Sequence, residues 1–414
     1  MTGAGAVGEE TLLTGRTWVR GSGAVLTDDT GRDHVDLGAG THTQPLGHCH
    51  PAVVAAVRDQ AGGLENVHDS PTPVRARAAT ALRRLLPARL DQVAFFSTGS
   101  EAVEGALRLV ATAAGPTRRR IAALRQGFHG KTRGSRSLVQ WDVGMESPAA
   151  SLLGYPPYCY RCPFGLTRPG CDLLCARLTV RQVVRPDVAA LVAEPVQGSA
   201  GVIVPPAGYW EIVGDACARA GVLLVADEVL TGGGRTGRFL ACDLYGLRPD
   251  VVTLSKGIGS GYPVSAVAAT PVVGDPGRWA SSGGSSSTYA GSAVPLAAAA
   301  ATLETLAAGA ADGVPALAGV LADGLAPLAG SGVVGEVRQV GLLAAVELVA
   351  DRDSRAPAPQ LAGRVVARAA DLGVRLLPAG HLLRLAPPLV IEAAVLADAL
   401  ARLRRAVEEV SAAG

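Results

Sequence analysis

Aromatic residues are scarce in this chain: 5 Phe, 4 Trp and 7 Tyr among 414 residues. Ala, Gly, Val and Leu abound instead, so helices are expected to pack closely through small side chains. Net charge is nearly absent as well. Thirty-eight basic residues stand against 36 acidic ones, a formal +2. With no long basic run, a nucleic-acid partner lacks its electrostatic footprint. The first thirty residues have no basic-then-apolar signal pattern. The apolar stretch near Ala293–Ala308 is broken by Pro295 and Glu304, which predicts a buried Ala-rich helix rather than a membrane span. Together these features predict a soluble cytoplasmic protein with neither nucleic-acid nor membrane partner.

No internal repeat or low-complexity linker divides the sequence, and its length allows a large core domain plus a smaller one. Through the middle, short apolar runs bounded by Gly or Pro alternate with helix-like segments. The runs are Gln92–Ser97, Ile121–Leu124, Ala189–Val196, Val222–Asp227, Val251–Ser255 and Pro263–Ala269. Nearly continuous apolar strands between helices predict an α/β fold with a mostly parallel sheet covered on both faces. After about residue 305 the pattern becomes helical (Pro315–Leu328, Gln360–Leu372, Ile391–Val410) around alternating strands such as Gly341–Leu348 and Leu382–Leu385. The expected division is an N-terminal segment 1–50 joining the small domain, a large domain 51–305 and a small α+β domain 306–414.

Two residues close strand-like runs where a parallel-sheet protein puts chemistry. Asp227 ends Gly-Val-Leu-Leu-Val-Ala-Asp, and Lys256 follows Val-Val-Thr-Leu-Ser. Alone, each has a commoner use, as a turn former or a surface charge. As a pair they supply what pyridoxal phosphate requires: an amine for a Schiff base and a carboxylate that holds the pyridine nitrogen protonated. Upstream, Phe96-Ser97-Thr98-Gly99-Ser100-Glu101 reads as strand, turn and helix start, with Thr98 and Glu101 at capping-box spacing. Free N–H groups of Gly99 and Ser100 at a helix N-terminus suit a phosphate.

The motifs Leu46-Gly47-His48-Cys49-His50-Pro51, Ser97-Thr98-Gly99-Ser100-Glu101-Ala102, Gly127-Phe128-His129-Gly130, Glu194-Pro195-Val196-Gln197-Gly198, Asp227-Glu228-Val229, Gly234-Arg235-Thr236-Gly237 and Ser255-Lys256-Gly257 stand in order along the chain. From about residue 20 to the C-terminus the sequence resembles the class III aminotransferases, the group holding ornithine, acetylornithine and 4-aminobutyrate aminotransferases. The resemblance implies a fold type I pyridoxal-phosphate enzyme. At matching positions it implies Lys256 as the Schiff-base lysine, Asp227 at the pyridine nitrogen, Gly99 and Ser100 on the phosphate, and Phe128 and Val229 on the two ring faces. His129 and Glu194 lie within the cofactor-binding motifs. It further implies a homodimer with shared active sites, in which Thr288 reaches the neighbouring subunit's phosphate, and it matches Arg384 to the arginine that grips a substrate carboxylate. A planar guanidinium can hold a carboxylate with two parallel hydrogen bonds.

The sequence departs from that family at three places. Relatives that use an ω-amino donor carry a second Glu five residues after the one in the Glu-Pro motif, which masks the arginine; here position 199 is Ser. Arg384 is therefore expected to stay available in both half-reactions, so that either amino donor and 2-oxo acid acceptor both bear a carboxylate or a different residue does the gating. Leu230 stands where many relatives have a Gln, and Gly233 where an aromatic is common. Both leave the wall of the site smaller or less polar.

Seven cysteines in 414 residues would place fewer than one in a 17-residue stretch, yet Cys159, Cys162, Cys171 and Cys175 fall together. The spacing C-x2-C-x8-C-x3-C in a loop rich in Pro, Gly and Arg suits a tetrahedral Zn²⁺ or an iron–sulfur cluster, and spacing does not choose between them. Unliganded thiols remain the other reading, disulfides being disfavoured in a reducing compartment. This insert, 155–176, is expected near the edge of the active site or the dimer interface, in a structural role.

The leading expectation is a transferase exchanging an amino group between a donor and a 2-oxo acid through Lys256. A racemase or epimerase, or a decarboxylating enzyme of the same fold, is the alternative, since the same cofactor chemistry serves all of them. A non-catalytic ligand sensor is disfavoured because Lys256 and Asp227 are both retained.

Overall fold

The computed structural model describes residues 16–68, 70–139, 152–275, 277 and 287–413. The first half of the expected signal-free terminus, residues 1–15, lies outside them, as do Ser285 and Ser286 of the segment ahead of Thr288. A seven-stranded sheet forms the centre, in the order Gln92–Phe96, Ser265–Ala269, Val251–Leu254, Leu223–Asp227, Val188–Ala193, Arg120–Leu124, Leu152–Gly154. The last five run parallel to one another. The Ser265–Ala269 strand is antiparallel to both its neighbours, a direction that its composition does not encode.

Val188–Ala193 shows why these strands are continuous apolar runs: all six residues are buried. Successive side chains point to opposite faces. Leu191 and Ala193 join one core, with Leu224, Ala226, Val252 and Leu254. Ala190 and Val192 join the other, with Val225, Val251 and Val267. Both faces must therefore be covered. The Ala-rich helix Ala293–Thr305 helps to do so. It packs between helices Pro51–Ala61 and Pro73–Leu85 with Leu296, Ala297, Ala298, Ala299, Ala300 and Leu303 buried, and small side chains allow that close approach. By length and composition alone, Ala293–Ala310 would also pass as a membrane span.

Two smaller sheets lie outside this layer. Trp18–Ser22, Val25–Asp28 and Asp33–Asp36 form a meander that accepts Val374–Arg375 as a parallel fourth strand. Val334–Val340, Leu343–Leu348, Leu382–Leu385 and Leu377–Ala379 make an antiparallel sheet. Helices Val314–Leu325, Pro359–Asp371 and Ala393–Ala412 share its apolar core.

Candidate active site

Asp227 and Lys256 come from adjacent parallel strands, with Asp227 paired in register to Thr253. Asp227 is the last residue of its strand, and Lys256 lies two beyond the end of Val251–Leu254. Both line one cavity of ≈ 190 Å³, together with Gly99, Ser100, Phe128 and Val229. The sheet delivers an amine and a carboxylate to a common space at its carboxyl edge, as expected of parallel strands.

Asp227 is buried and held from three sides. The Thr253 hydroxyl donates to Oδ1 at 3.0 Å, the Val229 N–H donates to Oδ1 at 3.1 Å, and His129 Nδ1 meets Oδ2 at 2.8 Å. His129 is fully enclosed. Burial alone would push its imidazole down, but the hydrogen bond and charge of Asp227, with Glu194 beyond, raise it. His129 therefore lies beside Asp227 as its support, on the wall of the cavity. Thr253 escaped the sequence reading, although a buried hydroxyl inside Val-Val-Thr-Leu was its signal.

Lys256 is part-buried, and burial holds its amine below the ordinary value; Glu194 opposes the shift, Arg384 adds to it and Asp227 opposes it again. A neutral amine is a nucleophile and a base, so the drop suits either task. Glu194 lies just past the Val188–Ala193 strand, accepting from Phe128 N–H at 3.0 Å and from Gly198 N–H at 2.9 Å. Burial pushes its carboxyl up to about 7, with His129 opposing and Asp227 adding.

The anion cradle has both arms of its capping box. Thr98 Oγ1 accepts from Glu101 N–H at 3.2 Å, and Glu101 Oε2 accepts from Thr98 N–H at 3.1 Å. Helix Gly99–Ala114 starts there. A Cβ on Gly99 would lie 2.9 Å from Val229 Cγ1, and one on Gly130 would lie 2.5 Å from Ser100 Oγ. Glycine at these points keeps the space beside the helix N-terminus open. The donor set fits pyridoxal phosphate on these grounds: a phosphate-sized opening at a helix start, flat-sided walls at Phe128 and Val229, a supported carboxylate and a facing amine.

Ser199 and Leu230 line the cavity wall, with Leu230 against Gly198. Arg384, on the strand Leu382–Leu385, is half-buried, and its Nε has no partner among the described residues. Burial lowers it while Glu194 opposes. Thr288 is exposed and is not on this cavity; its carbonyl accepts from Asn66, and the neighbouring Ser287 hydroxyl reaches Glu101 at 3.3 Å.

Cys159, Cys162, Cys171 and Cys175 all line one separate cavity of ≈ 290 Å³. All four are free thiols, and among the described residues no group of three or more His, Cys, Asp or Glu is arranged to hold a metal ion. The expected ligand set is therefore not assembled. Burial pushes the thiols of Cys159 and Cys175 up. The segment is instead fastened by charge. Buried Glu347 accepts from the Tyr158 hydroxyl, from Arg161 Nε at 2.5 Å and from Arg338 Nη1 at 2.7 Å. Burial alone would raise Glu347, yet its bonds to His381, Tyr158 and Arg338 hold it well below the usual range.

Comparison with known proteins agrees with this geometry. A family profile described as aminotransferase class-III matches residues 5–407. An acetylornithine aminotransferase of Methanopyrus kandleri is 35% identical over 396 residues, covering 94% of each chain. A leucine/methionine racemase of Thermococcus litoralis is 32% identical, covering 95% of this chain and 90% of its own. The crystal structure of an omega transaminase from Pseudomonas jessenii in complex with PMP superposes with TM-score 0.89 at 28% identity, covering 96% of this chain and 93% of that one. The chain belongs to the class III aminotransferases, pyridoxal-phosphate-dependent enzymes of fold type I.

Proposed function

We propose that this aminotransferase moves an amino group from a carboxylate-bearing donor to a 2-oxo acid, with Lys256 and Asp227 as its catalytic pair. One observation carries the assignment: the amine and the supported carboxylate face a single cavity from adjacent strand ends. Bound pyridoxal phosphate supplies an aldehyde for amine exchange and an electron-withdrawing ring. Gly99 and Ser100 hold the phosphate at the helix start, Phe128 and Val229 flank the ring, and Asp227 keeps the ring nitrogen protonated. His129 and Thr253 fix the Asp227 carboxylate, and Glu194 fixes the Phe128 and Gly198 backbones. Nζ of Lys256 accepts the proton from the substrate Cα. Arg384 binds the carboxylate, supported by an Nε that has no partner among the described residues and by a neutral Ser at 199. The finer organisation follows the same reading: domains 1–50 with 306–414 around 51–305, a cytoplasmic homodimer, and Thr288 offered to the neighbouring subunit.

A specific relative favours a second reading, because the Thermococcus litoralis protein is a racemase of similar length. The two differ in stoichiometry. A transferase needs a 2-oxo acid for each turnover, and its initial rates give parallel double-reciprocal lines. Racemisation of an amino acid with no oxo acid present, at the full rate, would replace the leading reading. For the donor, Arg384→Ala is expected to lower kcat/KM for amino acids by about 100-fold, the loss of a bidentate ion pair, while simple monoamines change by less than about threefold. Equal loss for both classes would remove the carboxylate assignment.

The metal reading of the cysteine segment rests on the shared cavity alone. Protein purified without oxygen or chelator should hold close to one zinc, or two to four iron atoms with matching sulfide, per chain if that reading is right. Trace levels of both would retire it.

A further inference from the structure

The Gly234-Arg235-Thr236-Gly237 motif lines none of the cofactor cavity, yet its arginine is only 3% exposed. Among the described residues no carboxylate pairs with Arg235, and burial lowers its guanidinium to about 10. Its partners are backbone carbonyls of two separate segments. Nη1 donates to the Leu342 carbonyl at 3.2 Å and to the Pro387 carbonyl. Leu342 in turn donates its N–H to the Arg235 carbonyl at 2.9 Å. The approach leaves no room for a side chain: a Cβ on Gly341, at φ 56°, would lie 2.6 Å from that same carbonyl oxygen.

Both segments frame Arg384. Leu342 leads into the strand Leu343–Leu348, in which Ala345 is paired with Arg384 and Ala344 with Leu385. Pro387 follows Arg384 on the same stretch of chain, just past the end of Leu382–Leu385. On its other side the loop that bears Arg235 meets the Lys256–Ile258 turn backbone to backbone. A Cβ on Gly257 would lie 2.7 Å from the Gly232 carbonyl oxygen, and one on Gly233 would lie 3.1 Å from the Gly257 carbonyl oxygen. The run 232–235 therefore joins the residue after Lys256 directly to the strand end that carries Arg384. An apolar side chain at 235 would fill the space without the cost of burying a charge. It could not hold carbonyls of two segments at a fixed spacing, as one guanidinium nitrogen with two N–H groups does.

We propose that Arg235 is a positioning residue that sets the separation between the Lys256 amine and the Arg384 guanidinium. Its basis is the assignment of Arg384 to the substrate's carboxylate. A ligand anchored at both ends, by amine and by carboxylate, then fits only when that separation is right. Loosening the joint leaves both end groups intact and lets the distance between them wander. The cost falls on ligands that use both ends and spares those that use one.

The test is a double-mutant cycle in the cofactor-loaded enzyme, with Arg235→Met and Arg384→Ala made singly and together. Two ligands without a Cα proton are compared at equilibrium through the cofactor's visible absorbance. 2-Aminoisobutyrate carries amine and carboxylate; tert-butylamine has a methyl group in place of the carboxylate. Arg235→Met is expected to weaken 2-aminoisobutyrate at least about tenfold, with tert-butylamine and cofactor affinity unchanged. In the Arg384→Ala background the same substitution should alter 2-aminoisobutyrate by less than about threefold, because it acts through a group already removed. Arg235→Lys, which keeps the charge and its N–H donors on one nitrogen, should fall between Arg235→Met and wild type, and it carries the cycle if Arg235→Met does not fold. Equal weakening of both ligands, additive losses in the double variant, or no change in Arg235→Met would overturn the proposal. Failure of both Arg235 variants to fold would also overturn it, marking a strut of the fold alone. An Arg384→Ala variant with undiminished preference for 2-aminoisobutyrate would refute the carboxylate assignment at its own corner of the cycle and take the proposal with it. Absence of amino transfer to a 2-oxo acid, with the ligand pattern intact, would refute the function and spare the joint.

Discussion

Replacing Lys256 with Ala is expected to abolish amino transfer, lowering kcat by at least about 10³-fold, because the proposed mechanism makes one side chain both nucleophile and proton carrier. The fold should survive. Among the described residues none is hydrogen-bonded to the amine, and its charged form is disfavoured by burial, so truncation relieves a desolvation penalty rather than opening an ion pair. The checks are single-turnover kinetics with a donor panel and the visible spectrum of the purified protein, which should lose the band of covalently held cofactor. Exogenous methylamine should restore a part of the rate by occupying the vacated space. A variant retaining a tenth of the wild-type rate would show that another base carries the proton.

The second large effect is at Asp227. Asp227→Asn keeps the shape of the side chain and its acceptor toward Thr253 and Val229, but removes the charge proposed to keep a bound pyridine nitrogen protonated. A loss of about 10²–10⁴-fold in kcat is expected, with KM little changed, since the carboxylate acts on the reacting system and does not touch the substrate. His129 provides an internal control. Its raised value depends on Asp227, so in the Asn variant the imidazole should titrate lower, measurable by NMR of the ring protons. A kcat within tenfold of wild type would mean that the ring's protonation is governed by another group.

That Asp227 and Lys256 meet at one cavity was legible in the sequence for a physical reason. Strands covered on both faces read as unbroken apolar runs, so a charge at the end of such a run is conspicuous, and parallel neighbours bring those ends together. The capping box at Thr98 and Glu101 was equally legible because it is local. What depended on distant pairing was not. The Ser265–Ala269 strand was found but not its antiparallel direction, and Leu152–Gly154 is too short to announce itself. His129 meets Asp227 across 98 residues, so its motif indicated a neighbourhood and not a supporting role. The cysteine spacing suggested a metal, yet spacing does not fix side-chain direction, and the thiols share a cavity without converging.

Glu347 lends the cysteine-bearing excursion a significance independent of any metal. Its strand, Leu343–Leu348, lies beside Leu382–Leu385, with Ala345 opposite Arg384. Trimming residues 155–176 from the protein would strip a deeply interior carboxylate of Tyr158 and Arg161 at a stroke and leave Arg338 as its remaining ion-pair partner. The damage would surface two positions along the same strand, across from the Arg384 guanidinium proposed to hold the substrate carboxylate, so a shortened enzyme should lose discrimination between acids before it loses its cofactor.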